Sequence, residues 1–472
     1  MRCPVQQKLS RRTFLSASLA AAGAAALPQA AFAQARSARK PNILIILADD
    51  LGAGDLSACG GKDIRTPHVD SVFAAGMRMT NFYANCPVCS PTRAALLSGK
   101  YPDNVGVPGV IRTHRNNSWG YLLPSCTLLP ALLKPAGYAT AAVGKWHLGL
   151  KSPNLPNQRG FDHFHGFLGD MMDSYLDHRR HGINYMRLND KEIDPKGHAT
   201  DLFTQWACDY IAARKGKAEP FLLYLAYNAP HTPIQPPEGH VKRVMDREKD
   251  ITQRRAKLVA LIEHMDEGIG KVLAALKAAG MEEDTLVIFT SDNGGDIPPG
   301  AFNGPWRAGK GTLYEGGIRV PAAIRWPGRV QPGSTCDRVS LTMDIMPTAL
   351  DIAGVALRAE AGGVALRERL DGRSFLPVLL GKASEERPRD LFWTRREGGK
   401  PFMGKTIECA RRGEWKLIRP RPGAPLELYN LANDPQEKQD LAASETDKLA
   451  EMTKVLEDQL ARYAKVPWQE PE

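Results

Sequence analysis

Three short apolar runs along the chain end abruptly in polar residues. Asn42-Ile43-Leu44-Ile45-Ile46-Leu47-Ala48 meets Asp49-Asp50, Phe221-Leu222-Leu223-Tyr224-Leu225-Ala226-Tyr227 meets Asn228-Ala229-Pro230-His231, and Thr285-Leu286-Val287-Ile288-Phe289-Thr290 meets Ser291-Asp292-Asn293-Gly294-Gly295. Short runs apolar on both faces predict buried parallel strands, each ending at a loop. Residues 255–279 instead carry Leu258, Leu261, Ile262, Met265, Ile269, Val272 and Leu273 at helical spacing, which predicts a crossover helix. Shorter helices are expected at 67–75, 92–97 and 128–134, and a further strand at 138–143. Alternating strands and helices predict an α/β sandwich around a mainly parallel sheet, with ligands collecting beyond the carboxyl ends of its strands.

The texture changes after residue 353. Residues 355–400 are rich in Glu, Arg, Gly and Pro, and 413–418 and 426–431 read as short antiparallel strands before a closing helix at 444–463. The expected organisation is a catalytic domain over 40–365 and a smaller C-terminal subdomain over 366–472, with no internal repeat.

Residues 1–35 read as a twin-arginine-type signal peptide. Ser10-Arg11-Arg12-Thr13-Phe14-Leu15 precedes an alanine-rich apolar stretch, and Ala31-Phe32-Ala33 or Ala33-Gln34-Ala35 offers small residues for cleavage. The stretch is too short for a good membrane span. Export to the periplasm or beyond follows as an expectation, with the twin-arginine machinery as a partner.

The 472 residues, 43% of them apolar, suffice for a large core and a smaller companion. The formal charge of +10 falls to +6 once Arg2, Lys8, Arg11 and Arg12 leave with the leader. Basic residues elsewhere alternate with acids and no nucleic-acid-binding motif accompanies them, so no nucleic-acid partner is expected. A polyanionic substrate is consistent with the remaining excess. Of eight cysteines, Cys3 lies in the leader, and the odd remainder predicts no particular disulfide pairing.

Asp49, Asp50, Asp292 and Asn293 form two pairs, each directly after an apolar strand. If those strands are neighbours, four oxygen-bearing side chains converge, and a hard cation such as calcium, with magnesium second, would neutralise them. The bland alternative is a helix cap and an ordinary turn. Cys89-Ser90-Pro91-Thr92-Arg93 places a cysteine at a helix start, where exposed N–H groups favour a thiolate or a bound anion. Cys86 and Cys89 also make a C-x-x-C, so redox, zinc and inert-pair readings stand beside the nucleophile.

The segment from Cys89 to Pro102, with Cys89-Ser90-Pro91-Thr92-Arg93 and Gly99-Lys100-Tyr101-Pro102, closely resembles the signature of the formylglycine-dependent sulfatases of the arylsulfatase and N-acetylgalactosamine-6-sulfatase type. Gly144-Lys145-Trp146-His147-Leu148-Gly149, Asn228-Ala229-Pro230-His231-Thr232-Pro233, Ser291-Asp292-Asn293-Gly294-Gly295, the block from Gly309 to Gly317 and Leu428-Tyr429-Asn430-Leu431 are similar to further blocks of that family, in the same order. The resemblance implies an alkaline-phosphatase-like sandwich and conversion of Cys89 to formylglycine by a maturation enzyme. It implies metal ligation by Asp49, Asp50, residue 89, Asp292 and Asn293. Arg93 would hold the hydrated aldehyde, Lys145, His231 and Lys310 would grip the sulfate, and His147 would sit beside the hydroxyl that does not attack.

The implied activity is hydrolysis of a sulfate ester on a glycan or oligosaccharide, through a formylglycine gem-diol and a sulfated hemiacetal. The leaving alcohol would take a proton from His231 or Lys310, and His147 would act as base in expelling sulfate. Asp170, Asp173, Tyr175, His178, Arg179, Arg180 and His181, in a loop-like stretch, suit a sugar, and His114 and Asn116 are placed at the mouth. His68 is expected to brace the first helix. A phosphomonoester or phosphonate monoester hydrolase on the same scaffold is the alternative enzyme, and a glycan-binding module without catalysis the alternative class.

Overall fold

The apolar run Asn42–Ala48 forms strand β1, buried along its whole length in the middle of a ten-stranded sheet. The other strands, in chain order, are β2 (Met77–Met79), β3 (Ala139–Lys145), β4 (His163–Phe167), β5 (Met186–Leu188), β6 (Lys191–Glu192), β7 (Phe221–Ala226), β8 (Thr285–Ser291), β9 (Ala322–Arg325) and β10 (Ser334–Cys336). Across the sheet they run β10-β2-β9-β8-β1-β7-β3-β4-β5-β6. The five central strands, β8 to β4 in that order, are all parallel, so their carboxyl ends share one edge. Antiparallel pairs flank them on both sides. This computed structural model describes residues 39–468 apart from 115–116, 356–359, 362–363, 366–369, 383–387, 398–403, 405 and 464. The signal peptide read at 1–35 lies outside the described residues.

The two faces of the sheet bury separate cores, as strand periodicity demands. Ile43, Ile45 and Leu47 point to one side, with Leu96, Leu97 and Ile345. Leu44 and Ile46 point to the other, with Val72, Phe203, Leu261 and Ile269. Each such side chain contributes about 1.5–3 kcal/mol by leaving water. The helices that supply these partners include α1 (Pro67–Ala74), α2 (Cys89–Ser98), α3 (Ala199–Ala213) and the long crossover α4 (Gln253–Ala278). The ring of His68 abuts Gly270, where a Cβ would come within 2.6 Å of it, so His68 does lock α1 against α4.

Residues 391–463 add a four-stranded antiparallel sheet, β11 (Leu391–Arg396), β12 (Thr406–Arg412), β13 (Trp415–Arg419) and β14 (Glu427–Asn430), covered by α5 (Thr446–Tyr463). Its core is a third cluster, in which Trp393, Leu417 and Leu456 pack with Tyr83, Leu313 and Leu341 from the preceding part of the chain. Residues Asn42–Glu472 form one compact unit. Among the described residues no helix is long and apolar enough to cross a membrane.

Two local readings change. The helix expected from residue 92 starts at Cys89, because Pro91 falls in the first turn, where its missing N–H costs no intrahelical bond. The stretch 150–200, read as loop-like, contains β4, β5 and β6 and the start of α3, with a true loop between residues 168 and 178. The alternation in His163-Phe164-His165, with only Phe164 buried, is the strand signal that the surrounding polar residues obscured.

Candidate active site

The carboxylate pairs meet because of register. Ala48, the last residue of β1, pairs with Ser291, the last of β8, which sets Asp49-Asp50 beside Asp292-Asn293. Backbone bonds seal the junction: Asp292 N–H donates to Ala48 O (3.1 Å) and Asp50 N–H to Asp292 Oδ1 (3.2 Å). Asp50 adopts a left-handed backbone (φ 67°), uncommon for a non-glycine residue and a mark of a site held by its surroundings. Gly294 lets the chain leave this point: a Cβ there would lie 1.9 Å from Gly316 O, so only glycine admits the loop that carries Lys310.

Helix α2 enters this edge with its first residue, Cys89, whose Sγ lies 3.9 Å from Asp50 Oδ1. One turn on, Arg93 sends Nε and Nη2 to Asp292 Oδ2 (3.0 and 2.7 Å) and Nη1 to Lys145 O (3.2 Å). Its Nη2 is also 3.5 Å from Asp49 Oδ1. Lys145, ending β3, places Nζ 2.5 Å from Asp49 Oδ2. Lys310 reaches in from the far side to Asp50 Oδ2 (2.6 Å) and donates to His231 Nε2 (3.0 Å). The structure thus gathers Asp49, Asp50, Cys89, Arg93, Lys145, His231, Asp292, Asn293 and Lys310 at one buried point.

Hydrogen bonds fix both histidine tautomers, since a carbonyl only accepts. His231 Nδ1 donates to Thr232 O (2.7 Å), leaving Nε2 as the acceptor from Lys310. His147, itself at φ 60°, donates from Nε2 to Ile111 O (2.8 Å), so its Nδ1 holds a lone pair, buried and without a hydrogen-bond partner. Burial pushes the His147 pKa well down, and Lys145 and Arg93 push it further. Burial and Lys310 lower that of His231.

The carboxylates are sorted by their cationic neighbours. Burial alone would raise Asp49, yet the cations Lys145, Arg93 and Lys310 hold it well below the usual range. Asp50 is lowered too, with Lys310 the first cation to outweigh its burial. Asp292 goes the other way, to about 7, through burial and the charge of Asp49. Burial raises the Cys89 thiol well above its ordinary value, which corrects the expectation of a thiolate at the helix start: the unmodified residue is a neutral thiol.

The donor set fits a hard cation. Ligand atoms of Asp49, Asp50, Cys89 and His231 lie within 4.8 Å of one another. Asp49 Oδ1 and Asn293 Oδ1 are buried without a hydrogen-bond donor, an arrangement that costs free energy unless a cation takes up the lone pairs. All seven described cysteines are free thiols, and Cys86 Sγ is bonded to Thr394 O (3.2 Å).

Around this centre some expectations shift. Tyr175, read as part of a sugar-lining loop, is 1% exposed, and its hydroxyl spans Asn228 O (2.7 Å) and His231 O (2.9 Å), bracing the turn that carries His231. His178 is likewise buried, bonded to Gly197 O. These contacts join residues far apart in sequence, so no local signal announced them. Arg180 lies in a two-residue strand, Arg179–Arg180, just past the loop, and its guanidinium pairs with Asp170 and Asp173. His114 and His181 are exposed, with ring centroids 4.9 Å apart. Asn116 lies outside the described residues.

Comparison with known proteins agrees with this geometry. Residues 41–355 match the family described as Sulfatase, and residues 306–466 match that described as N-sulphoglucosamine sulphohydrolase, C-terminal. The chain is 32% identical to N-acetylgalactosamine-6-sulfatase of Canis lupus familiaris, over 88% of this chain and 76% of that protein. It is also 32% identical to arylsulfatase A of Homo sapiens, over 80% of this chain and 75% of that protein. Among solved structures it resembles Ps i-CgsB in complex with k-i-k-neocarrahexaose, with a TM-score of 0.81, 30% identity, and 92% and 95% of the two chains covered. With the sulfatase match spanning two thirds of its length and the cysteine, lysines and acid pairs gathered at one edge of the sheet, this chain belongs to the sulfatase family and is a sulfuric ester hydrolase.

Proposed function

We infer that this protein removes sulfate from a sulfated glycan or oligosaccharide, with calcium held by Asp49, Asp50, Asp292 and Asn293 and with Cys89 converted to formylglycine. The single observation that carries the site assignment is the convergence of Lys145 and Lys310 on the two carboxylates flanking Cys89. The glycan reading draws support from the neocarrahexaose complex of Ps i-CgsB and from the N-acetylgalactosamine-6-sulfatase relatives.

A formylglycine at residue 89 would supply an oxygen nucleophile, and a cation held by Asp49, Asp50, Asp292 and Asn293 would supply Lewis acidity toward it and toward the sulfuryl oxygens. The chain does the rest. Arg93 holds Asp292 and Asp49 in place, while the Nζ groups of Lys145 and Lys310 rest on Asp49 and Asp50, ready to bind sulfate oxygens as charge develops on them. In the resting hydrogen bond the shared proton sits on Lys310, whose pKa is raised, and not on His231. Lys310 Nζ, which carries the proton and is oriented by the lone pair of His231 Nε2, is the group placed to give it to the departing alcohol. His147, with its free Nδ1 lone pair and depressed pKa, is the base that removes a proton for sulfate expulsion.

The test is Cys89→Ser. A serine ester has no second hydroxyl to expel sulfate, so the variant gives no turnover, and intact mass shows at most one sulfate per chain. Multiple turnovers by that variant would refute the mechanism. Matched sulfate and phosphate esters, assayed on protein confirmed to carry formylglycine, separate this activity from a phosphoester hydrolase. Residues 1–35 fit export to the periplasm, to be checked by fractionation with and without Arg11 and Arg12.

A further inference from the structure

Strand β11 brings the C-terminal sheet to the rim of the catalytic centre. Its odd-numbered side chains face inward: Trp393 Nε1 donates to Ala84 O (2.8 Å), and Arg395 Nη1 to Gly311 O (2.6 Å), next to Lys310. Glu397, just past the strand, is 2% exposed. Its Oε2 takes Arg112 Nη1 (2.8 Å), and its Oε1 lies 3.6 Å from Arg395 Nε. Arg112 follows Ile111, which touches both walls of the site: its carbonyl accepts from His147, and its N–H donates to Ser90 Oγ (3.0 Å). Gly311 N–H in turn donates to Pro87 O (2.8 Å), two residues before Cys89. Arg112 and Arg395 thus meet one buried carboxylate, Glu397, and each is tied through a neighbouring residue to the segment Pro87–Ser90 that holds Cys89.

From this arrangement we propose that Arg112 and Arg395, held by Glu397, form a second anion subsite beside the scissile-sulfate pocket. It reads a further sulfate or carboxylate group on the saccharide. Both arginine side chains keep partial exposure, 25% and 16%, so an anion arriving from solvent can meet them. Among the described residues Arg112 spends only Nη1, on Glu397 and Asn117 O, which leaves its Nη2 and Nε edge to grip a planar or tetrahedral anion. A salt bridge built only to fasten the loops would need one arginine. Here the carboxylate is buried and both cations keep part of their surface open to solvent, the order expected where an oriented charge is to meet a ligand.

The proposal rests on the saccharide reading above, and its test separates the two. Sulfate release is measured for a saccharide bearing the scissile sulfate and a second anionic substituent, and for its analogue lacking that substituent, with 4-nitrophenyl sulfate as control. The wild-type protein prefers the doubly anionic saccharide in kcat/KM. Arg112→Gln reduces that preference at least tenfold, on the scale of a charge-assisted hydrogen bond, chiefly through KM. Arg112→Lys, which keeps the charge and loses the fork, falls between. Equal loss on both saccharides means that Arg112 only fastens its loop, and no preference in the wild type removes the subsite while leaving the glycan reading intact. Hydrolysis of 4-nitrophenyl sulfate without release from any saccharide defeats the glycan reading itself.

Discussion

Lys145 Nζ lies 2.5 Å from Asp49 Oδ2, and neither side chain is exposed to solvent. A buried ion pair is expensive to desolvate and stabilises little for its own sake. Its retention at the strand ends, where substrate must arrive, marks it as chemical equipment: the cation is kept in place for the anion that will replace part of its contact with Asp49.

The first prediction follows from that pair. Lys145→Met removes a fixed positive charge aimed at the developing sulfuryl charge and lowers kcat/KM by about 10²–10³-fold, the scale seen for loss of one preorganised donor. Steady-state kinetics on formylglycine-bearing protein check it. A change below threefold would take Lys145 out of the sulfate pocket.

Metal linkage is testable without catalysis. After chelation and dialysis, the thermal midpoint rises as calcium is added, because the ion binds only the folded arrangement of Asp49, Asp50, Asp292 and Asn293. At calcium 100-fold above its dissociation constant the gain is about 2.7 kcal/mol. Asp292→Asn removes most of the shift. An equal shift in wild type and variant would place the ion elsewhere.

The loop that bears Lys310 is anchored by a buried network. Glu315 Oε1 accepts from Lys416 (2.8 Å), Glu437 Oε1 lies 2.7 Å from the same Nζ, and Tyr83 donates to Glu315 Oε2 (2.7 Å). All three ionic side chains are 0% exposed. Lys416→Met leaves two buried carboxylates without their common cation and costs about 3–5 kcal/mol in denaturant unfolding. A loss under 1 kcal/mol would show that the network does not anchor the loop.

A histidine cluster behind the His231 turn gives the protein an acid limit. His198, bonded through Nε2 to Gln235 O and through Nδ1 to Thr200 N–H, packs against Tyr175 and His264, with Asp201 and His178 nearby. Burial depresses its pKa to about 4 from an ordinary 6.5. The unfolded chain therefore binds more protons between those values, and stability is fully present above pH 6.5 and declines as pH falls toward 4, by about 3 kcal/mol from this residue. His198→Asn, which still caps α3, flattens the change in melting midpoint between pH 7.5 and 5. An unchanged pH slope would assign the acid limit to other groups.

Much of the site could be read in the chain because its catalytic groups stand in short motifs at the ends of strongly patterned strands. An apolar run followed by Asp-Asp or Asp-Asn fixes where a buried strand must surface, since neither carboxylate can stay in a strand packed on both faces. The sequence by itself therefore determined the sandwich, the strand ends, the acid pairs that follow them and the cysteine at a helix start. Only the tertiary structure decided that β1 and β8 share a register, that Tyr175 braces His231, that Glu397 collects two arginines and that Lys416 anchors the Lys310 loop. Tyr175 and His231 are 56 positions apart and Arg112 and Glu397 are 285 apart, and a buried charge or hydroxyl has no local propensity to declare its partner. Which groups must be satisfied is written in the residues; which neighbours satisfy them is settled when the chain packs.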